Sequence, residues 1–290
     1  MDCSVRCSEL PDCRRYMTCI DSTTNRFNCK LYNSGEDCLV REGTGQGCDC
    51  YRKEYTCEEA GSCNCPIGYY GSNCSSIIKD CNEGKTRNSY PSNIPIASFI
   101  QPSPNMVPFQ AFCNFKSGLT YIQRRSSACS AISFNRTFDE YVNGFGNSEA
   151  EVWLGLDKIR AIQEANVGNI LGLEIMLLLQ NNPSDPYKNA LYRSFTVGNS
   201  STNYAFQAQY LNYGDAGNAL LDFPNIYNSQ FSTYDRDVTS FDCPASFGGG
   251  WWYANESACC QANMNGPQVK WLDNFGGKFI YYSFLGIRVM

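Results

Sequence analysis

The sequence predicts a β-rich domain of the α+β class that follows small disulfide-rich modules. Twelve of the 18 cysteines fall within the first 74 residues, and the other six are spread over the rest of the 290-residue chain. From about residue 80 onward, short alternating segments rich in aromatic residues are separated by glycine turns. We therefore expect an N-terminal region held together by disulfides and a C-terminal domain that buries its own core.

The cysteine content also predicts the compartment. Disulfides at this density form in an oxidising environment, so we expect a secreted, extracellular protein. A zinc site would need histidines or paired C-x-x-C segments, and the sequence has neither. The most apolar stretch, Ile170 to Leu179, contains Glu174 and is too short to span a membrane. It predicts a buried strand instead.

Charge and residue types exclude two classes of function. The net charge is −5 and no basic cluster is longer than a pair such as Arg124-Arg125, which argues against nucleic-acid binding. The chain has no histidine, so it lacks a Ser-His or Cys-His nucleophile pair. It also has no glycine-rich phosphate-binding motif. We therefore expect a protein that is not an enzyme.

Residues 1–42 contain the first six cysteines. Cys3 and Cys7 are four residues apart, which places both thiols on one helical face. Asn28-Cys29-Lys-Leu-Tyr32 predicts a strand. This pattern resembles half of a PAN/apple module, and from the residues alone the pairing stays open. The resemblance implies the pairs Cys3–Cys29, Cys7–Cys13 and Cys19–Cys38.

Residues 48–74 form a second cysteine-rich block. It ends in Cys63-Asn-Cys65-Pro-Ile-Gly-Tyr-Tyr-Gly-Ser-Asn-Cys74. The C-x-C spacing can hold two bridges against one hairpin, and Gly68 and Gly71 supply its turn geometry. The segment resembles the end of an EGF-like module, which we expect to act as a rigid spacer. The resemblance implies the pairs Cys48–Cys57, Cys50–Cys63 and Cys65–Cys74.

Residues 80–290 carry a series of aromatic and glycine motifs. We expect strands at 152–156, 171–179 and 204–213, with a short helix following the first of them. The motifs that matter most are Asp80-Cys81, Pro108-Phe-Gln-Ala-Phe-Cys113, Tyr121-Ile-Gln-Arg-Arg125, Trp153-Leu-Gly-Leu-Asp157, Phe231-Ser-Thr-Tyr-Asp-Arg-Asp237, Gly248-Gly-Gly-Trp-Trp-Tyr253 and Asn263-Met-Asn-Gly266.

In this order, these motifs resemble the fibrinogen-related domain over its whole length. The resemblance implies a fibrinogen C-terminal-like globular domain with disulfides Cys81–Cys113 and Cys243–Cys259. It leaves Cys129 and Cys260 as additional cysteines. Because the cysteine count is even, we expect these two to pair with each other, and the alternative is a link between subunits.

Many members of this family bind calcium in the loop after the F-S-T motif. Asp235 and Asp237 match the first two acidic positions, and Asp242 lies nearby. Thr239 stands where the family has a further acidic step, so one carboxylate is lost from a site that needs six to eight oxygens. The resemblance thus implies a weakened calcium site. The alternative is a turn in which these side chains accept hydrogen bonds from backbone amides.

Family lectins hold acetyl groups or carboxylates in an adjacent pocket. The matching positions in this chain are Phe247, Trp252, Tyr253, Cys260 and Asn263. Phe247 brings no hydroxyl group, and Cys260 stands where the family has a histidine. Because a pocket that loses its polar groups loses its means of orienting a ligand, we expect acetyl recognition to be altered.

The sequence leaves two functions open. The first is an extracellular recognition or adhesion protein, lectin-like or protein-binding, whose partners are glycans, proteins or further copies of the chain. The second is a structural subunit of an extracellular polymer, since the pocket is altered and the chain has no collagen repeat or heptad stretch. Three usable N-glycosylation sequons agree with secretion, at Asn135, Asn199 and Asn255. A fourth triplet, Asn73-Cys-Ser75, is a poor candidate because Cys74 is expected to be bridged.

Overall fold

A large antiparallel sheet lies at the centre of the structure. The structure is a computed structural model that describes residues 65–71, 74–87, 95–126, 132–148, 150–179, 187–211 and 213–290. The strands are β1 (Tyr69–Tyr70), β2 (Ser76–Ile77), β3 (Ile96–Ile100), β4 (Phe109–Asn114), β5 (Leu119–Ser126), β6 (Phe145–Gly146), β7 (Val152–Trp153), β8 (Leu171–Leu179), β9 (Lys188–Val197), β10 (Phe206–Tyr210), β11 (Phe231–Ser232), β12 (Trp251–Trp252), β13 (Ala262–Asn263), β14 (Lys270–Trp271) and β15 (Ile280–Val289).

Nine of these strands build the main sheet. Seven follow the order β10-β9-β8-β15-β5-β4-β3, and β7 joins β5 and β6 beside this path. The C-terminal strand β15 lies in the middle of the sheet, between β8 and β5. Two short antiparallel pairs, β11 with β12 and β13 with β14, lie in the part of the chain that precedes β15.

Short helices flank the sheet. They are α1 (Cys81–Thr86), α2 (Phe138–Asn143), α3 (Leu156–Glu164), a 3-10 helix (Ser200–Thr202), α4 (Cys243–Phe247) and the kinked turn α5 (Asn274–Gly277). Helix α2 begins with a capping box, in which the Thr137 side chain accepts from the Glu140 amide and the Glu140 side chain accepts from the Thr137 amide. Asp80 caps α1 by accepting from the Glu83 amide at 2.8 Å.

The predicted elements are mostly present. The apolar stretch forms β8, as predicted. The strand expected at 152–156 is shorter, since β7 covers only Val152–Trp153 and helix α3 already begins at Leu156, but the expected order of strand and helix is present. The third predicted strand is shorter than expected, because Asn203 and Tyr204 have left-handed backbone angles, with φ of 44° and 54°. The backbone becomes extended only after this turn, so β10 starts at Phe206.

An aromatic cluster fills the core between the sheet, the helices and the short strand pair β11–β12. Phe231 lies at its centre, with its ring 5.1 Å from Tyr141, 5.8 Å from Trp153 and 5.2 Å from Trp252. The Trp252 ring also lies 5.3 Å from Phe206 on β10. All five side chains are fully buried. The cluster therefore joins elements from four parts of the sequence by aromatic packing.

The structure contains three of the disulfides that the resemblance implies: Cys65–Cys74, Cys81–Cys113 and Cys243–Cys259. The first closes the segment that resembles the end of an EGF-like module. The remainder of that module and the PAN/apple-like residues 1–42 lie outside the described residues, so both modules stay predictions.

The segment that contains β1 and β2 packs on the main sheet. The Phe99 amide of β3 donates to the Ile67 carbonyl at 3.0 Å, and the Tyr69 ring lies 5.6 Å from that of Phe99. The compact unit accordingly begins at Cys65. Among the described residues, no helix combines the length and apolar composition needed to cross a bilayer.

The buried tyrosines predict loss of stability at alkaline pH. Burial raises the pKa of Tyr121 to about 12, and it also raises the pKa values of Tyr141, Tyr192 and Tyr253. Unfolded tyrosines ionise near pH ~10. Their contribution to stability is therefore complete below about pH 10 and is lost as the pH rises above it.

We expect the urea midpoint to fall from about pH 10 upward. The absorbance of the tyrosinates that form at the four buried positions should appear together with unfolding. Full tyrosine ionisation in a protein that keeps its near-ultraviolet circular dichroism would contradict this account.

Candidate functional site

A cavity of about 430 Å³ opens between the end of helix α4 and the turn at 265–267. Its walls come from five segments: Arg125 on β5, residues 132–135, Tyr234, and the two segments at 244–249 and 265–267. The lining combines apolar rings with hydroxyl, amide and backbone groups. Such a mixture suits a ligand that presents both an apolar face and oxygen acceptors.

Arg125 is the one charged residue in this lining, and it is 5% exposed. Its guanidinium donates to three carbonyls of the neighbouring loop, those of Met264, Gly266 and Pro267. It also lies 4.9 Å above the ring of Phe134. Burial lowers the pKa of Arg125, and the nearby Glu151 carboxylate partly offsets that effect. Among the described residues the Arg125 Nε–H has no hydrogen-bond acceptor.

Two glycines let the α4 turn approach the opposite loop. Gly248 and Gly249 have φ values of 68° and 72°, which favour glycine. A Cβ atom on Gly249 would lie 2.1 Å from the Asn265 carbonyl oxygen, and one on Gly248 would lie 2.6 Å from the Pro267 ring. Gly248 and Gly249 are therefore required by the close contact that forms the cavity wall.

A buried hydrogen-bond network supports this wall from behind. The Tyr253 hydroxyl contacts the carbonyls of Gly248 at 2.8 Å and Gly249 at 3.0 Å. Asn263 Nδ2 donates to the Tyr253 oxygen at 2.9 Å and to the Gly248 carbonyl at 2.8 Å. Asn265 continues the network by donating to the Gly250 carbonyl at 2.9 Å. The Tyr253 and Asn263 side chains fix the turn and do not line the cavity.

The five residues expected to form the ligand pocket take different positions. Phe247 lines the cavity, and Lys270 Nζ lies 4.7 Å from its ring centre. Trp252 belongs to the aromatic core, where its indole N–H donates to the Tyr204 carbonyl at 2.8 Å. Tyr253 and Asn263 form the network behind the wall. Cys260 is buried and does not line the cavity.

Cys260 has no disulfide partner among the residues that the structure describes. Burial raises the pKa of Cys260 to about 11, although the nearby Lys270 lowers it in part. The thiol is therefore protonated and poorly nucleophilic at neutral pH. Its expected partner Cys129 lies outside the described residues, so the pairing of these two cysteines stays a prediction.

The three aspartates expected near calcium make different contacts. Asp235 accepts from the Thr233 hydroxyl at 2.7 Å and from the Phe138 amide at 3.0 Å. Asp237 accepts from the Thr239 amide at 2.8 Å. Asp242 precedes α4 in a left-handed conformation without a side-chain cap bond. Among the described residues no three carboxylate or thiol groups come together, and the contacts of Asp235 and Asp237 match capped turns. The weakened calcium site stays a prediction, because calcium also takes backbone carbonyls as ligands.

Sequence reasoning did not identify Arg125 as a site residue. Its only signal was the Arg124-Arg125 pair, which gave no sign that the two side chains point to opposite sides. Arg124 lies 4.5 Å above the Phe112 ring, whereas Arg125 reaches the 264–267 loop.

A second cavity of about 330 Å³ lies beside the β6–β7 hairpin and includes Lys158, whose amine donates to the Asn143 carbonyl.

Comparison with known sequences gives one family. The C-terminal globular domain of the fibrinogen beta and gamma chains matches residues 77–280. The fibrinogen beta chain of Gallus gallus is 32% identical over 238 residues, covering 71% of this chain and 46% of the relative. Angiopoietin-related protein 3 of Homo sapiens is 34% identical over 174 residues, covering 59% and 34%. The chain thus spans less than half the length of these two relatives.

Solved structures share the fold. The fibrinogen-like globe domain of human ANGPTL6 aligns with a TM-score of 0.62 at 25% identity, covering 74% of this chain and 96% of that domain. The corresponding domain of human ANGPTL2 gives 0.61 at 28% identity, covering 73% and 99%. Lamprey fibrin D-dimer in complex with the peptide Gly-His-Arg-Pro-amide gives 0.61 at 23% identity, covering 74% and 75%, which shows the fold alone.

The Tyr253 network predicts that one hydroxyl group stabilises the cavity wall. Tyr253→Phe removes a group that contacts two carbonyls and the Asn263 amide. We expect a loss of about 1–3 kcal/mol in the free energy of unfolding, because buried polar groups lose their partner. Urea denaturation measures this loss, with the exposed Tyr227→Phe as the matched control. Equal stability of both variants would refute the supporting role.

The aspartate contacts predict indifference to calcium. We expect millimolar Ca²⁺ and EDTA to leave the melting temperature unchanged, because the Asp235 carboxylate already binds a hydroxyl and an amide. Asp235→Asn should lower the stability equally with and without Ca²⁺. A calcium-dependent rise in melting temperature that is lost in Asp235→Asn would show that a metal site forms there.

Proposed function

Because this chain belongs to the family of fibrinogen C-terminal globular domains, we propose that it is a secreted, non-enzymatic recognition or adhesion protein of the extracellular space. The family match covers more than half of the sequence. Its partners on this proposal are extracellular glycans or proteins. The proposal rests on a site rather than on the fold alone, because the same fold supports unrelated functions.

The observation that supports it is the cavity around Arg125. A buried guanidinium lines it and keeps one N–H without a partner among the described residues. The positive charge of this guanidinium beside the cavity favours a ligand that presents a carbonyl or carboxylate oxygen, because a hydrogen bond to a charged donor is stronger than one to a neutral donor. The rings of Phe134 and Phe247 offer apolar surface for the rest of the ligand.

The proposed ligand is therefore an acetylated or acidic group, such as that of an N-acetylated sugar or an acidic peptide. The group that donates a hydrogen bond to the ligand would differ from that in family lectins. Phe247 has no hydroxyl and Cys260 is buried, so Arg125 and the surrounding backbone would orient the ligand instead. The lamprey fibrin structure, with its bound peptide, shows that a protein of this fold takes up a short peptide.

The alternative is a structural subunit of an extracellular polymer. The exposed aromatic side chains in the 213–241 region favour it, because aromatic residues are enriched at protein interfaces. They are Tyr213, Phe223, Tyr227, Tyr234 and Phe241. Self-association through such a surface would not require the cavity.

Filling the cavity separates the two functions. Ser246 is an exposed residue of its wall, and Ser246→Trp would place an indole at the entrance. We expect the deglycosylated protein to bind immobilised N-acetylglucosamine or N-acetylneuraminic acid, and this variant to bind at least about tenfold more weakly, a loss of ~1.4 kcal/mol. Calorimetry or surface plasmon resonance measures the affinity.

The matched control is Ser200→Trp, at an exposed serine of the 3-10 helix that does not line the cavity. It should bind like the unmodified protein. Equal affinity of Ser246→Trp and the unmodified protein would exclude this cavity. Long polymers in light scattering, with no retention on either sugar, would support the structural alternative.

A further inference from the structure

Asn135 lies in the wall of the Arg125 cavity. It begins the sequon Asn135-Arg-Thr137, and its side chain is exposed. The residue next to it, Phe134, is buried against the Arg125 guanidinium at 4.9 Å. The position of Asn135 at the cavity is therefore fixed by the packing of its neighbour.

The three sequons differ in their surroundings. Asn199 Oδ1 accepts from the amide and the hydroxyl of Ser201, and Asn255 Oδ1 accepts from the Ser240 amide at 2.7 Å. The side-chain amide of Asn135 makes no such bond within the described part of the protein, where only its backbone N–H is engaged, with Ser133 Oγ. Of these three asparagines, Asn135 alone lines the cavity.

We propose that Asn135 carries an N-linked glycan that covers the Arg125 cavity. This inference rests on the proposed function, since the sugar is added only in the secretory pathway. A lipid-linked oligosaccharide diphosphate is the donor. The Asn135 Nδ2 atom forms a bond to C1 of the first N-acetylglucosamine, the bond from C1 to the lipid diphosphate breaks, and the amide proton is released. The sequon also requires the Thr137 hydroxyl, which caps helix α2 in the folded protein.

A glycan at this position would control access to the site. The first sugars are attached at the cavity entrance, next to the apolar ring of Phe134, and a glycan is bulky compared with a cavity of about 430 Å³. The glycosylated protein therefore presents a covered cavity, and the protein without this glycan presents an open one. Glycosylation at Asn199 or Asn255 leaves the cavity lining untouched.

Occupancy is measured first. The protein is secreted from glycosylating animal cells, and an amidase then removes its glycans in ¹⁸O-labelled water. This reaction converts each glycosylated asparagine into an ¹⁸O-labelled aspartate. We expect the label at Asn135. Label at Asn199 or Asn255 with none at Asn135 overturns this inference alone. A protein that is retained in the cell without any label overturns the proposed secretion as well.

Hydroxyl-radical footprinting then measures how far the Asn135 glycan shields the cavity from solvent. Tyr234 lines the cavity and is 53% exposed, whereas Tyr213 is 62% exposed and lies outside the lining. In Asn135→Gln, which retains an amide, we expect Tyr234 to be oxidised about twice as fast as in the glycosylated protein, because a bulky group has been removed. The matched variant Asn199→Gln and the reference residue Tyr213 should show no change. Equal Tyr234 oxidation with and without the Asn135 glycan overturns the covering role.

Discussion

Two side chains of one strand hold the loop that shapes the site. Gln123 and Arg125 lie two positions apart on β5, and both donate to carbonyls of the 264–267 loop. A buried guanidinium is unfavourable unless its donors are satisfied, so the loop must stay where its carbonyls meet Arg125. The sheet thereby determines the shape of a cavity whose other walls are mostly turns.

The rest of the C-terminal region depends on the same arrangement. The glycines at 248 and 249 allow the α4 turn to reach the loop, and Tyr253 and Asn263 satisfy the carbonyls that this close approach leaves free. Beneath them, Phe231 and Trp252 join β11–β12 to the core. Polar contacts thus position the turns, and aromatic packing supplies the burial that stabilises them.

The sequence predicted what depends on local pattern. Apolar content located β8, and the resemblance to known modules implied the three bridges that the structure contains. The site was predicted less well, because it depends on contacts distant in sequence. Arg125 meets a loop about 140 residues away, and no local pattern reveals such a pairing. Tyr253 and Asn263 were assigned to the ligand, whereas their hydrogen bonds hold the backbone behind the cavity.

The two strands at the ends of the seven-stranded path, β3 and β10, are both shielded. On one side, the Phe99 amide of β3 already donates to the Ile67 carbonyl, so the segment that contains β1 and β2 covers this edge. On the other, Phe206 of β10 exchanges backbone bonds with Asn228 and Ser229, and an irregularity follows at Gln207. Edges covered or bent in this way resist strand addition from another molecule. If copies of this protein assemble, they would meet through side-chain surfaces rather than by extending the sheet into a cross-β fibril.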